Sequence, residues 1–137
     1  MKGNLTMKKL KYIIIAICTL LLLTACQQGK NHQKLGDILD IKEDKIKNII
    51  VETTMTKEKS DLVLEKKDYK KFLDKLSSYN TLEIKNNNKK GWQYFIKIEA
   101  DEDILISIMD NEISVNDKLY ISDNLDKNDF LYLFENR

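Results

Sequence analysis

An α+β fold is what the sequence predicts: an antiparallel sheet of about five to seven strands, one amphipathic helix packed on a face, and a short C-terminal helix. Three patterns predict it. Apolar residues recur at helical spacing across Lys66 to Ser78, Trp92, Tyr94, Ile96 and Ile98 alternate with Gln93, Phe95, Lys97 and Glu99, and short polar clusters punctuate the remainder. A chain of this length buries enough surface for one core without disulfide staples.

Taken in order, Asp37 to Ile41 suggests a single helical turn, and the β-branched run from Ile46 to Met55 predicts a strand. A second short strand, Asp61 to Leu64, follows a polar turn at Lys57 to Ser60 and completes a hairpin. Tyr69, Phe72, Leu73, Leu76 and Tyr79 then fall on one face of a helix whose other face carries Lys67, Lys70, Lys71, Asp74 and Lys75. From Thr81 the period changes to two: Leu82 and Ile84, a break at Asn86 to Gly91, the Trp92 to Glu99 strand, and a turn at Asp101, Glu102 and Asp103. Ile104, Ile106 and Ile108 form the buried side of the next strand, Asp110-Asn111 a tight turn, and Ile113-Val115 and Leu119-Ile121 two short strands around Asn116-Asp117. Asp126 reads as the N-cap of a last helix carrying Phe130, Leu131, Leu133 and Phe134.

The N-terminal part differs in kind. Lys2, Lys8, Lys9 and Lys11 stand without an acid among residues 1–25, ahead of an apolar stretch from Tyr12 to Leu23 and the tetrad Leu23-Thr24-Ala25-Cys26. A positive start, an apolar middle and a small residue before a cut are the parts of an export signal. Twelve apolar positions are too few for a hydrocarbon core of about 30 Å, which needs roughly 20 helical residues. Met7 serves as well as Met1 for a start, since Lys8, Lys9 and Lys11 still supply the charge. Residues 7–26 resemble the leader and lipobox of bacterial lipoproteins. The resemblance implies cleavage between Ala25 and Cys26, acylation of the Cys26 thiol, and a lipid anchor on the outer face of the cell membrane. Two acyl chains at about 0.8 kcal/mol per buried CH₂ hold such a protein essentially permanently.

Three regions are therefore expected: a signal peptide at 1–25, a lipidated cysteine and tether at 26–36, and one small domain at 37–137. Gln27 to Gly36 is polar and aperiodic; ten such residues reach about 17 Å on average and roughly 35 Å when straight. The partner is then the membrane itself, a membrane-proximal protein or a cell-wall component. His32, the single histidine, falls in this tether, where it reads as a bystander.

Charge gives a second view of the same division. The whole chain has 23 basic and 22 acidic side chains, net +1; losing residues 1–25 removes four lysines and no acid, which leaves −3. Residues 26–97 carry 16 basic and 11 acidic side chains, and residues 98–137 carry 3 and 11. Export and a negative mature charge disfavour nucleic acid as a partner. The lack of proline and the abundance of Lys, Asn and Ile suit an AT-rich, Gram-positive source. The element order, with Gly91-Trp92-Gln93-Tyr94 opening a strand after a helix and an Asn/Lys loop, resembles small Gram-positive cell-surface lipoproteins with a single domain of no assigned function.

Chemistry-bearing motifs are few. Cys18 leaves with the leader and Cys26 is acylated in this reading, so no disulfide forms. Phosphate-cradling glycine loops and metal-ligand spacings are lacking, and no cofactor is expected. Asn124, Asp126, Asn128 and Glu135 match the first, third, fifth and twelfth places of a calcium loop, but Asp129 stands where the sharp turn needs glycine. Paired carboxylates at Asp101, Glu102 and Asp103 would suit a wall-polymer hydrolase, but they fall at the tip of a predicted hairpin, where carboxylates are solvated. The expectation is a non-catalytic binding or accessory domain, with a hydrolase or a purely structural lipoprotein as alternatives. Trp92, Tyr94 and Phe95 are the candidate contact patch, with Phe95 expected on the face opposite Trp92 and Tyr94.

Overall fold

The computed structural model describes residues 8–18, 32–57, 61–86 and 90–135, which fall into two units divided in the sequence between positions 31 and 32. In the first unit residues 8–18 form a helix, α1, whose Tyr12, Ile13, Ile14 and Ile17 side chains are exposed. Cys18 is exposed and free. Among the described residues no helix is long and apolar enough to cross a membrane. Ala25 and Cys26 lie outside the described residues.

The second unit is one antiparallel sheet with helices on a single face. Its strands are β1 (Gln33–Lys34), β2 (Asn48–Thr53), β3 (Asp61–Val63), β4 (Asn80–Ile84), β5 (Tyr94–Glu99), β6 (Ile104–Met109), β7 (Glu112–Val115) and β8 (Lys118–Ser122), in the order β1-β4-β8-β7-β6-β5-β2-β3. Helix α2 (Leu35–Leu39) follows β1, and α3 (Lys66–Ser77) carries the chain from the β3 edge to β4 near the other edge. The count of eight strands exceeds the five to seven expected because β1 comes from the segment read as tether. Gln33 and Lys34 pair with Thr81 and Asn80, and Leu35 is fully buried. The second unit therefore includes residues 32–36, which the sequence reading assigns to the tether.

Strand alternation sorts the sheet into two faces. Ile49, Val51, Tyr94, Ile96, Ile98, Ile106, Ile108, Ile113, Val115 and Tyr120 share the core face with Phe72 and Leu76 of α3 and with Phe130 and Leu133. Phe130 is its centre, with ring centroids 5.4 Å from Phe72, 5.5 Å from Tyr94 and 6.1 Å from Tyr79. The residues of β4 and β8 that point to this core are Thr81, Tyr120 and Ser122, so the apolar pairs Leu82–Ile121 and Ile84–Leu119 fall on the other face.

Helix α3 forms where the sequence predicts it, with Tyr69, Phe72 and Leu76 buried. Asp68 in the first turn and Lys75 in the last complement the helix dipole. Two remote side chains close its C-terminal end: Lys34 Nζ and Asn124 Nδ2 both donate to the Ser78 carbonyl, at 3.3 and 3.1 Å. Helix α2 ends at Asp40, whose left-handed φ of 46° turns the chain away.

The last helix is short and of the 3-10 type, Leu131–Leu133. Asp126 caps a turn as expected: its Oδ1 accepts from Asn128 N–H at 2.8 Å, and Asp129 Oδ2 accepts from Asp126 N–H at 3.0 Å. The two bonds resemble a capping box, except that Asp126 reaches the Asn128 amide rather than that of Asp129, and the 3-10 helix Leu131–Leu133 follows. Asn128 and Asp129 are poor α-helix formers, and a single 3-10 turn is enough to bury Phe130 and Leu133.

Candidate functional site

Three places bear on function. The first, Cys26 with Ala25 before it, lies outside the described residues, so its case stays with the sequence.

The second is the expected aromatic patch, which the fold rearranges. Tyr94 opens β5 on the core face, is fully buried, and donates its hydroxyl to the Lys127 carbonyl at 2.7 Å. It is a core residue and leaves the patch. Burial, with the Asp129 and Asp126 carboxylates adding to it, pushes its phenol from 10.0 up to about 12. Phe95 points to the opposite face, as expected. Trp92 does not stay with Tyr94: it precedes the strand, between bends at Gly91 and Gln93, and its ring lies 5.9 Å from Phe95. Alternation could not place Trp92 because it holds only inside the strand. Backbone hydrogen bonds at Gln93, to the Ile108 carbonyl and from Thr54, reset the chain between them. Gly91, at φ 80°, borders a small recess on that face with Ser107, Met109, Glu112, Ser114 and Leu119.

The third is a cleft of about 480 Å³ at the end of the sheet where the β5–β6 and β7–β8 turns emerge. Ile38, Leu39 and Ile41 from α2 and its exit, with Ala100, Ile104 and Val115, give it an apolar floor. Asp40, Asp101, Glu102 and Asp103 stand on its rim with Lys42 and Lys45. The three hairpin acids are exposed, and Asp103 lies 4.0 Å from Lys97, which also approaches Glu99 at 3.7 Å. Asn116, left-handed at φ 51°, braces the floor by accepting from Leu105 N–H through its side chain at 3.1 Å and donating its own N–H to the Leu105 carbonyl at 2.8 Å. Sequence reasoning found the hairpin acids but missed the α2 side of the cleft. Its one local signal was Asp40, an aspartate of the kind that tolerates a left-handed helix end.

The cleft thus joins an apolar floor to a rim of mixed charge, four carboxylates with Lys42 and Lys45. Among the described residues no three acidic, histidine or cysteine side chains converge to hold a metal ion. The calcium-like residues have structural tasks: Asn124 Oδ1 accepts from Asn80 N–H at 2.8 Å and Ser122 Oγ at 2.9 Å, and Asp126 caps its turn. His32 is exposed.

By class, then, the folded body is an α+β protein, an eight-stranded antiparallel sheet with helices on one face. No protein-family model, curated protein or solved structure matches the chain.

Proposed function

We propose that this chain is a lipoprotein, cut between Ala25 and Cys26 and held by acyl chains on Cys26 at the outer face of the cell membrane, where its α+β body acts by contact and without a cofactor. The observation that carries the reading is the tetrad Leu23-Thr24-Ala25-Cys26 behind a lysine-rich start and an apolar stretch. The Trp92–Phe95 pair on the face away from α3, and the apolar cleft floor beneath Asp101 to Asp103, support a contact role. The rim acids are solvated, which favours recognition of a positive group over general acid-base chemistry.

The test is metabolic labelling with an alkynyl fatty acid, comparing the native chain with Cys26→Ala. The expected result is a labelled protein in the membrane fraction whose mass begins at Cys26 and includes a diacylglyceryl group, and an unlabelled, uncut Cys26→Ala form. An unlabelled native protein, or one that keeps residues 1–25, overturns the proposal.

A further inference from the structure

We propose that the outward face of α3, through Lys67, Lys70 and Lys71, rests on anionic phospholipid headgroups, so that the body lies helix-side down on the bilayer; this rests on the reading of Cys26 as the anchor. Lys67, Lys70 and Lys71 project together at helical spacing, opposite the buried Tyr69, Phe72 and Leu76, and all three are exposed. The two that pair do so weakly: Lys67 with Glu65 at 3.2 Å and Lys70 with Asp74 at 3.1 Å, each between side chains well over half exposed. Exposed pairs of this kind yield readily to another anion. Lys71 is held over the Tyr132 ring, 4.5 Å from its centroid, which keeps its ammonium at the surface.

Chain length brings this face to the bilayer. Five residues, 27–31, separate Cys26 from His32, and the six Cα-to-Cα steps reach at most about 20 Å. The chain then joins the body against the C-terminal end of α3: Leu35 N–H donates to the Tyr79 carbonyl at 2.8 Å and Lys34 Nζ to that of Ser78. Helix α3, 12 residues and so about 18 Å long, lies within that span. Charge then selects among the faces within reach. Five lysines and two aspartates occupy α3, whereas Glu52, Glu99 and Glu112 accompany Lys97 on the far face of the sheet and Asp101 to Asp103 tip its hairpin. An anionic surface attracts the first and repels the others.

Amine acetylation of the lipidated, full-length mature protein tests this, with each lysine read by mass spectrometry on phosphatidylglycerol and on phosphatidylcholine vesicles. The expected result is several-fold protection of Lys67, Lys70 and Lys71 on the anionic vesicles alone, lost near 1 M salt, where the screening length is about 3 Å, with Lys97 and Lys118 unchanged. Equal modification on both vesicles, or protection of Lys97 and Lys118 instead, overturns the inference. Protection given only by added soluble polyphosphate makes the occupant a polymer and overturns it too. The intact mass separates the two readings: a protein without lipid sinks both, and a lipidated protein with unprotected lysines sinks this one alone.

Discussion

The Tyr79 hydroxyl donates to Asp129 Oδ2 at 2.8 Å, joining the residue just past α3 to the C-terminal turn 50 positions later. The same oxygen accepts from Asp126 N–H, and Lys75 Nζ stands 3.6 Å from the other oxygen. One carboxylate therefore closes the Asp126 turn, fixes the phenol and meets the last basic residue of the helix. With Phe130 packed against the Tyr79 and Tyr94 rings, this junction holds the terminal 3-10 segment against the core.

Tyr79→Phe removes the donor while leaving the ring. Asp129 stays partly buried with one partner fewer, so a loss of about 1–3 kcal/mol is expected in urea unfolding. Phe130→Ala, which empties the centre of the core, is expected to cost about 3–5 kcal/mol. The first falling below the second, with an unchanged urea slope in both, checks that the hydroxyl and the ring contribute separately.

Alkaline pH reaches the same junction. Burial raises the Tyr94 phenol from 10.0 to about 12, and burial together with the hydrogen-bonded Asp129 carboxylate raises that of Tyr79 further. Each is raised above its unfolded value, so the folded state holds the proton more tightly. The associated stability is complete below pH 10.0 and is lost as pH climbs through the folded values, by up to about 1.4 kcal/mol per pH unit for each tyrosine. Urea midpoints measured from neutral pH to about 12 are expected to fall only above about 10, with a shallower decline in Tyr94→Phe.

Periodicity was legible wherever burial was one-sided. Tyr69, Phe72 and Leu76 announced α3, and Ile96, Ile98, Ile106 and Ile108 announced the central strands and their faces. It failed where the sheet is apolar on both sides: Leu82, Ile84, Leu119 and Ile121 look like core residues, but the register places Thr81 and Tyr120 inward. It also failed where one tertiary contact outweighs local composition. Nothing in the polar run before Leu35 marks a strand, yet pairing with β4 and burial of Leu35 draw it into the body. Of the cleft, the hairpin acids were readable as a turn; their meeting with Asp40 and Ile41 depends on how α2 returns, which only the fold specifies.

Gly36 shows how tightly that return is made. A Cβ placed on it would lie 2.7 Å from the Cβ of Ser77, closer than such atoms approach, so α2 and the end of α3 touch through a missing side chain. Gly36→Ala is expected to destabilise by about 1–3 kcal/mol despite the better helix propensity of alanine. Adding Ser77→Gly removes the opposing atom, and the double variant is expected to recover part of the loss. A double-mutant cycle by thermal unfolding with no coupling between the two sites would contradict the contact.

Phe95 and Ile96 are adjacent in β5 and face opposite ways, which gives the sharpest check of the sheet's two sides. Ile96 is fully buried, between Val51 and Ile106 in register, so Ile96→Asp forces a carboxylate into the core and is expected to abolish folding. Phe95 is half-buried beside Trp92, so Phe95→Asp sacrifices one aromatic contact and some apolar cover, about 1–2 kcal/mol, and leaves a folded protein. Trp92, the single tryptophan, reports the difference. In Phe95→Asp its emission is expected to shift to the red while far-ultraviolet circular dichroism keeps its sheet and helix bands, because the ring loses its apolar neighbour and gains water. Loss of both signals together in Phe95→Asp would place Phe95 in the core and invert the face assignment on which the contact surface depends.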